Sequence, residues 1–229
     1  MSSPPTDSAA GARLAASQLK RIRRIVDAAV ALAEVGGFEG VKLRHLAESS
    51  GVALGTLYKY FPSKEAILVY VLNEEAGKLE RVIAARPPQG ATAVERVTEW
   101  FARATRGITR RPEFGRAVLR AIASGTDATS DQQAVFHLRV SRMVIAAMRN
   151  EPPDPERPLD VPYGSEREQT LARILEDVWF ASLLGWVGGL HPTKTVTHRV
   201  SETLSLLLGE DGEVPSLPFI DDSRSEVLS

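Results

Sequence analysis

Residues 51–64 read GVALGTLYKYFPSK and concentrate side chains that grip a polyanion. Thr56, Tyr58 and Tyr60 carry hydroxyls; Lys59 and Lys64 carry charge. Leu57 and Phe61 lie four apart, so they share one face of a helix and anchor it to a bundle. Leu54, Gly55, Thr56, Tyr58, Lys59 and Tyr60 are left toward the other face. Leu54 and the Thr56 methyl suit thymine methyl groups, the hydroxyls suit phosphate oxygens, and Gly55 lets a backbone approach closely. Lys64 follows Ser63 at the start of the next helix, where backbone N–H groups also favour an anion.

Other chemistries find little support. The 229 residues include no cysteine, which excludes disulfides, thiolate metal sites and cysteine nucleophiles and fits a reducing cytoplasm. Tyr60 and Lys64 have the spacing of a short-chain dehydrogenase pair. However, Pro62 breaks the helix that pairing needs, and no glycine-rich strand-to-helix turn precedes it. No P-loop and no nucleophile elbow occur. His45, His137, His191 and His198 are scattered; the last two are seven apart across Pro192, a poor ligand spacing. No catalytic residue, metal or cofactor is expected, and an enzyme is a remote alternative.

Charge is unevenly spread. The whole chain carries −1. Between Gln18 and Lys64 there are eight Lys/Arg against four acids, so this segment is +4 and the remainder −5. A basic module on an acidic body suits a polyanion partner for one part only. It argues against the second alternative, a protein that coats DNA without regard to sequence. Lys20, Arg21, Arg23 and Arg24 crowd the start of one helix, where cations oppose the dipole unless phosphates lie nearby. The N-terminus lacks the apolar core of a signal peptide. The longest strongly apolar uncharged run, residues 178–190, is shorter than the ~20 residues a spanning helix needs, so no membrane partner is expected.

Periodicity and breakers give an all-α chain. A first helix, residues 19–35, places Ile22, Val26, Ala29 and Ala33 on one face and stops at Gly36-Gly37. Short helices follow at 43–49 and 54–61, joined by a turn at Gly51-Val52. Two short helices across a tight glycine turn form a helix-turn-helix, whose second helix enters the major groove. Ser63 caps a fourth helix to Arg86, ended by Pro87-Pro88. Further helices are expected over 91–109, 112–124, 129–150, 166–190 and 193–208. Residues 152–165 hold five prolines and read as a linker or mobile loop.

The string LRHLAESSGVALGTLYKYFPSKEAIL, residues 43–68, resembles the DNA-binding domain of the TetR family of bacterial repressors. The order Ala47, Gly51-Val52, Gly55-Thr56-Leu57-Tyr58, Phe61, Ser63-Lys64-Glu65 matches throughout. The resemblance implies base contacts from Arg44 and DNA contacts from Leu54, Gly55, Thr56, Tyr58, Lys59, Tyr60 and Lys64. Lys42 and Arg21 join them as phosphate contacts. Three positions depart from the family pattern. Ala53 stands where Ser or Thr often caps the third helix, a loss of ~1 kcal/mol. Lys42 replaces a capping Thr or Ser, and Tyr60 replaces a common histidine.

The resemblance also implies a C-terminal helical body that binds a ligand and dimerises. Residues 173–186, RILEDVWFASLLGW, resemble the corresponding helix of actinobacterial sterol-catabolism repressors, which implies a large lipid-like or acyl-CoA-type inducer and genes of lipid or sterol breakdown. From Leu171 to Leu190 the chain is apolar nearly all round, so that helix needs cover on both sides. Leu183, Trp186 and Val187, with Val200 and Leu204 of the last helix, are the expected dimer contacts. The expected pocket residues are Trp100, Phe101, Phe114, Leu119, Phe136, Met143, Met148, Trp179 and Phe180, with Arg103, Arg116, Arg120 or Arg139 available to an anionic ligand.

The expected organisation is a tail over 1–17, a three-helix reader over 18–64, a ligand-binding and dimerisation body over 65–209, and a tail over 210–229. A homodimer of this design sets two third helices ~34–36 Å apart on a pseudo-palindromic operator in double-stranded DNA. A small-molecule inducer then shifts the fourth helix and changes that spacing.

Overall fold

The structure, a computed structural model, describes residues 6–125 and 129–208, with side chains described from Ala15 onward. Among these residues nine helices form and no strand occurs: α1 (Thr6–Gly40), α2 (Leu43–Ser50), α3 (Leu54–Tyr60), α4 (Lys64–Ala85), α5 (Ala93–Thr109), α6 (Pro112–Ala123), α7 (Ser130–Arg149), α8 (Glu166–Val187) and α9 (Thr193–Leu208). The all-α architecture is the expected one.

Ile25, Ala29 and Ala33 of α1 are fully buried, as are Leu46 of α2 and Leu57 of α3. These five side chains close the three-helix core. The first helix differs from its expected bounds at both ends. Residues 6–17, expected as tail, belong to α1. Their composition explains this: five of the twelve are alanine, the best helix former. At the other end Gly37 adopts φ 57 and ψ −152, a non-helical conformation that breaks the helix where Gly36-Gly37 is expected to stop it, and a short helical piece continues to Gly40. The rest of both expected tails, residues 1–5 and 210–229, lies outside the described residues.

Ser63 caps α4 through a 3.1 Å bond from Ala66 N–H. At 22 residues α4 spans about 33 Å, long enough to leave the reader and enter the body. There Glu80 is fully buried between Arg142, whose Nη2 and Nε donate at 2.6 and 3.2 Å, and Arg139. This paired charge fastens α4 to α7. Arg96 donates to the carbonyls of Ala147 and Met148 at 2.9 and 2.8 Å, closing the C-terminal end of α7.

The proline-rich segment is held more firmly than expected. Pro153 is buried, Arg142 donates to the Arg157 carbonyl, and Arg157 donates to the Pro162 carbonyl at 3.0 Å. Prolines lack N–H donors but keep their carbonyl acceptors, and arginines use such acceptors here. Arg149 closes the segment with two 2.7 Å bonds to Glu168.

Candidate nucleic-acid interface and ligand cavity

Gly51 sits at φ 61, ψ 32, a left-handed turn that glycine takes without steric cost. It aims α3 away from α2. Leu57 and Phe61 pin α3 from beneath, and Phe61 meets Tyr70 edge-on at 5.3 Å. Gly55, Tyr58 and Lys59 are exposed, while Leu54 and Thr56 are half-buried. Tyr60 departs from the expected outward face. It is half-buried and packs on the core, because a residue three on from Leu57 shares its side. Neither Ala53 nor Lys42 supplies a side-chain cap. Arg21, Lys42 and Arg44 are exposed and make no ion pair among the described residues.

Lys64 has work inside the chain. Its Nζ donates to the Phe38 carbonyl at 3.1 Å, pairs with Glu39 at 3.5 Å and lies 3.8 Å from the Phe38 ring centre. Arg120 of α6 covers the same ring at 4.6 Å and pairs with Glu39 at 2.9 Å. Arg111, just before α6, pairs with Glu34 at 3.1 Å. The end of α1 is therefore tied to α6 by arginine–carboxylate pairs, and α1 packs more extensively on α6 than on α4. Sequence reasoning gave the link between reader and body to α4 alone. The isolated Phe38 after a glycine pair, followed by Glu39, was the available signal.

The body encloses a partly open cavity of about 670 Å³, within the usual range for a ligand site. Trp100, Phe114, Phe136, Met143 and Trp179 line it, as expected from the sequence, and all five are buried. Trp179 is held by a 2.9 Å bond from Nε1 to the Thr105 hydroxyl. Phe101, Leu119 and Phe180 do not line it. Each is one residue beyond a lining position (Trp100, Val118, Trp179), and one helical step turns a side chain by about 100°. Phe101 instead backs the wall, 4.7 Å from Trp100 and 5.5 Å from Trp179. Met148 lies beyond the cavity at the end of α7.

The charged part of the lining is mostly basic. Lys78, Arg103, Arg106, Arg110 and Arg111 border the cavity against one acid, Glu75. Arg103 is the single expected arginine among them. Arg116, Arg120 and Arg139 are engaged elsewhere, with Glu113, Glu39 and Glu80. Burial pushes the Glu75 carboxyl up. The hydrogen bond from Lys78 and the charges of Lys78, Arg111 and Arg110 outweigh it and hold the group below its ordinary value.

The expected dimer contacts divide. Leu183, Val200 and Leu204 are fully buried within one chain, where α9 packs on α5 and α8; they have no surface left for a second copy. Trp186 and Val187 are half-buried. The exposed side of α8 instead carries Ile174, Ala181, Leu184 and Gly188, with Val178 and Gly185 half-buried beside them. Among the described residues no group of histidines and carboxylates could hold a metal ion, and no helix is long and apolar enough to cross a membrane.

Residues 25–71 match the family profile described as "Bacterial regulatory proteins, tetR family", and residues 90–207 match "Tetracyclin repressor-like, C-terminal domain". The chain is 32% identical over 200 residues to the HTH-type transcriptional repressor KstR of Rhodococcus jostii, covering 87% of this chain and 88% of that one. Among solved structures, a TetR transcriptional regulator from Rhodococcus sp. RHA1 superposes with a TM-score of 0.73 at 23% identity, covering 85% of this chain and 98% of that chain. Thermus thermophilus FadR, a repressor solved in complex with lauroyl-CoA, gives 0.58 at 23% identity over 86% of this chain and 97% of that chain. Helix-turn-helix, helical body and curated relatives agree: the chain belongs to the TetR family of bacterial transcriptional regulators, on the branch of the KstR repressors.

Proposed function

We propose that this protein is a homodimeric repressor that an amphipathic, anionic lipid of the acyl-CoA type releases from its operator. The observation that carries the reading is the cavity: buried aromatic and aliphatic walls with five basic side chains on the remaining border. Apolar walls take a chain or ring system, and guanidinium groups take phosphate or carboxylate oxygens. The likeness to a repressor that binds lauroyl-CoA supports the same chemistry, and the KstR relatives support genes of lipid or sterol breakdown. On DNA, Arg44, Gly55, Thr56, Tyr58 and Lys59 form the reading face, with Arg21 and Lys42 on flanking phosphates. Leu54 adds its half-buried side chain at the rim of that face. The apolar stripe of α8 supplies the subunit interface.

Two measurements test this. Duplexes selected from a random library should bind on the order of 10³ times more tightly than unselected duplex at one fixed salt concentration; a ratio near one overturns the repressor reading. Palmitoyl-CoA titrated into the protein–operator complex should release the duplex. Protein that takes up neither palmitoyl-CoA nor palmitate by calorimetry overturns the ligand reading.

A further inference from the structure

We infer that Arg111 reads the anionic group of the ligand and, in doing so, lets go of the DNA-binding domain. The inference rests on the cavity being the ligand site. Arg111 precedes α6, lines the cavity and stacks 4.4 Å over the ring of Phe114, another lining residue. Its Nη1 donates to Glu34 on α1 at 3.1 Å, and its Nη2 donates to Glu75 on α4 at 2.9 Å. One guanidinium therefore joins the ligand wall, the long connecting helix and the reader. Its Nε is buried with no partner among the described residues, so the group has donor capacity to spare.

Its two carboxylate partners are not equivalent. Glu75 borders the cavity and keeps a second cation, Lys78, at 2.7 Å. Glu34 lies outside the cavity lining, has Arg111 as its one ion-pair partner among the described residues, and is 41% exposed. A carboxylate or phosphate arriving between Arg111, Arg110 and Lys78 meets a planar fork that takes two oxygens at once. A grip on two oxygens takes one whole edge of the fork, and the guanidinium presents that edge by turning from Glu34, whose carboxylate returns to water at little cost. The exchange leaves Arg120–Glu39 as the remaining ion pair between α1 and α6 beside their packing contact, and the reader moves more freely on the body. Binding of the anion and positioning of the reader are then coupled, and the coupling is reciprocal. A neutral lipid of the same length fills the apolar part and leaves the Glu34 tie intact.

Amide hydrogen exchange on the full chain tests this with three probes: palmitoyl-CoA, palmitate and 1-hexadecanol. Occupancy of the cavity is read independently as slowed exchange in residues 100–109. An anionic probe should quicken exchange in residues 34–43 roughly two- to fivefold, the range a partly exposed ion pair supports, and 1-hexadecanol should not. Palmitate acting like palmitoyl-CoA assigns the effect to a carboxylate; palmitoyl-CoA acting alone assigns it to phosphate. Glu34→Gln without any probe should already show the faster exchange, and the anionic probes should add nothing. If the cavity wall is protected but residues 34–43 do not respond in the wild type, or respond equally to 1-hexadecanol, the ligand site stands and the role of Arg111 falls. If no probe protects the wall, both fall.

Discussion

An added Cβ at Gly55 meets nothing within 4 Å in the chain. Inside a helix, replacing glycine by alanine stabilises by roughly 0.5–1 kcal/mol. Gly55→Ala should therefore raise the unfolding midpoint while weakening operator binding, because on the proposed reading face the methyl enters the space given to DNA. Operator affinity that stays level or rises would remove Gly55 from the reading face. The two lysines nearby separate in the same way. Lys59 is exposed without an ion pair, and Lys64 is committed to Phe38 and Glu39. Lys59→Ala should lower the salt slope of operator binding by ~1 at unchanged stability. Lys64→Ala should leave the slope unaltered and cost up to about 1 kcal/mol of stability. A lowered slope for Lys64→Ala at full stability would return that lysine to the phosphate backbone. The string GVALGTLYKYFPSK made the reader legible, since glycine turn, anchors and polar face all sit within it. The intramolecular use of Lys64 was not, since Phe38 and Glu39 come from the far end of another helix.

Helix bounds followed from local signals where those signals were strong. Ser63 marks a helix start that the structure keeps, and the starts expected at 91, 112 and 166 fall within two residues of the observed ones; Thr92/Glu95 and Ser165/Glu168 form capping boxes at two of them. Which wall residue faces the cavity was less legible, because one helical step separates Trp100 from Phe101 and Trp179 from Phe180, and periodicity alone does not say which step faces the void. Which polar side chains pair between helices was the least legible, and the joint between the consecutive helices α7 and α8 is one case. There His137 Nδ1 lies 2.8 Å from the Glu176 carboxylate. The hydrogen bond to Glu176 raises the imidazole above its ordinary 6.5, against the opposing effect of burial. Burial raises Glu176 too, and prevails over the hydrogen bond that pulls it down. Both groups hold protons more tightly folded than unfolded. The contribution of His137 is therefore full below pH 6.5 and is lost as pH climbs past the raised value. Urea unfolding at about pH 6 and about pH 8.5 should show the wild type losing up to about 1 kcal/mol more than His137→Leu over that interval. Equal losses would mean the pair carries no pH dependence.

At the scale of the whole molecule, one chain leaves a surface that it does not cover. On α8 and its C-terminal cap the exposed or half-buried positions Ile174, Val178, Ala181, Leu184 and Gly188 fall at intervals of three and four, an apolar stripe interrupted by Asp177. Small residues at 181 and 188 allow a second helix to approach closely, whereas the space beside Gly185 is taken by His191 of the same chain. The same stripe on a second copy is self-complementary about a two-fold axis, the commonest closed arrangement. Composition announced this surface, because a helix apolar all round needs cover on both sides. It did not say which side was already taken, and Leu183, Val200 and Leu204 proved to be inside the chain because α9 folds back over them. Ala181→Glu distinguishes the two sides. Ala181 is exposed, so the substitution leaves the fold of one chain intact, whereas in a two-fold interface it sets two carboxylates facing each other without partners. Light scattering should find the wild type at roughly twice 24.9 kDa and Ala181→Glu at a single chain mass. The monomer should keep its far-ultraviolet helix signal and its uptake of palmitoyl-CoA, since the cavity belongs to one chain. Its operator affinity should collapse, because two half-sites are then read by two independent molecules. A variant that remains dimeric and holds the operator would place the interface on another face of the body.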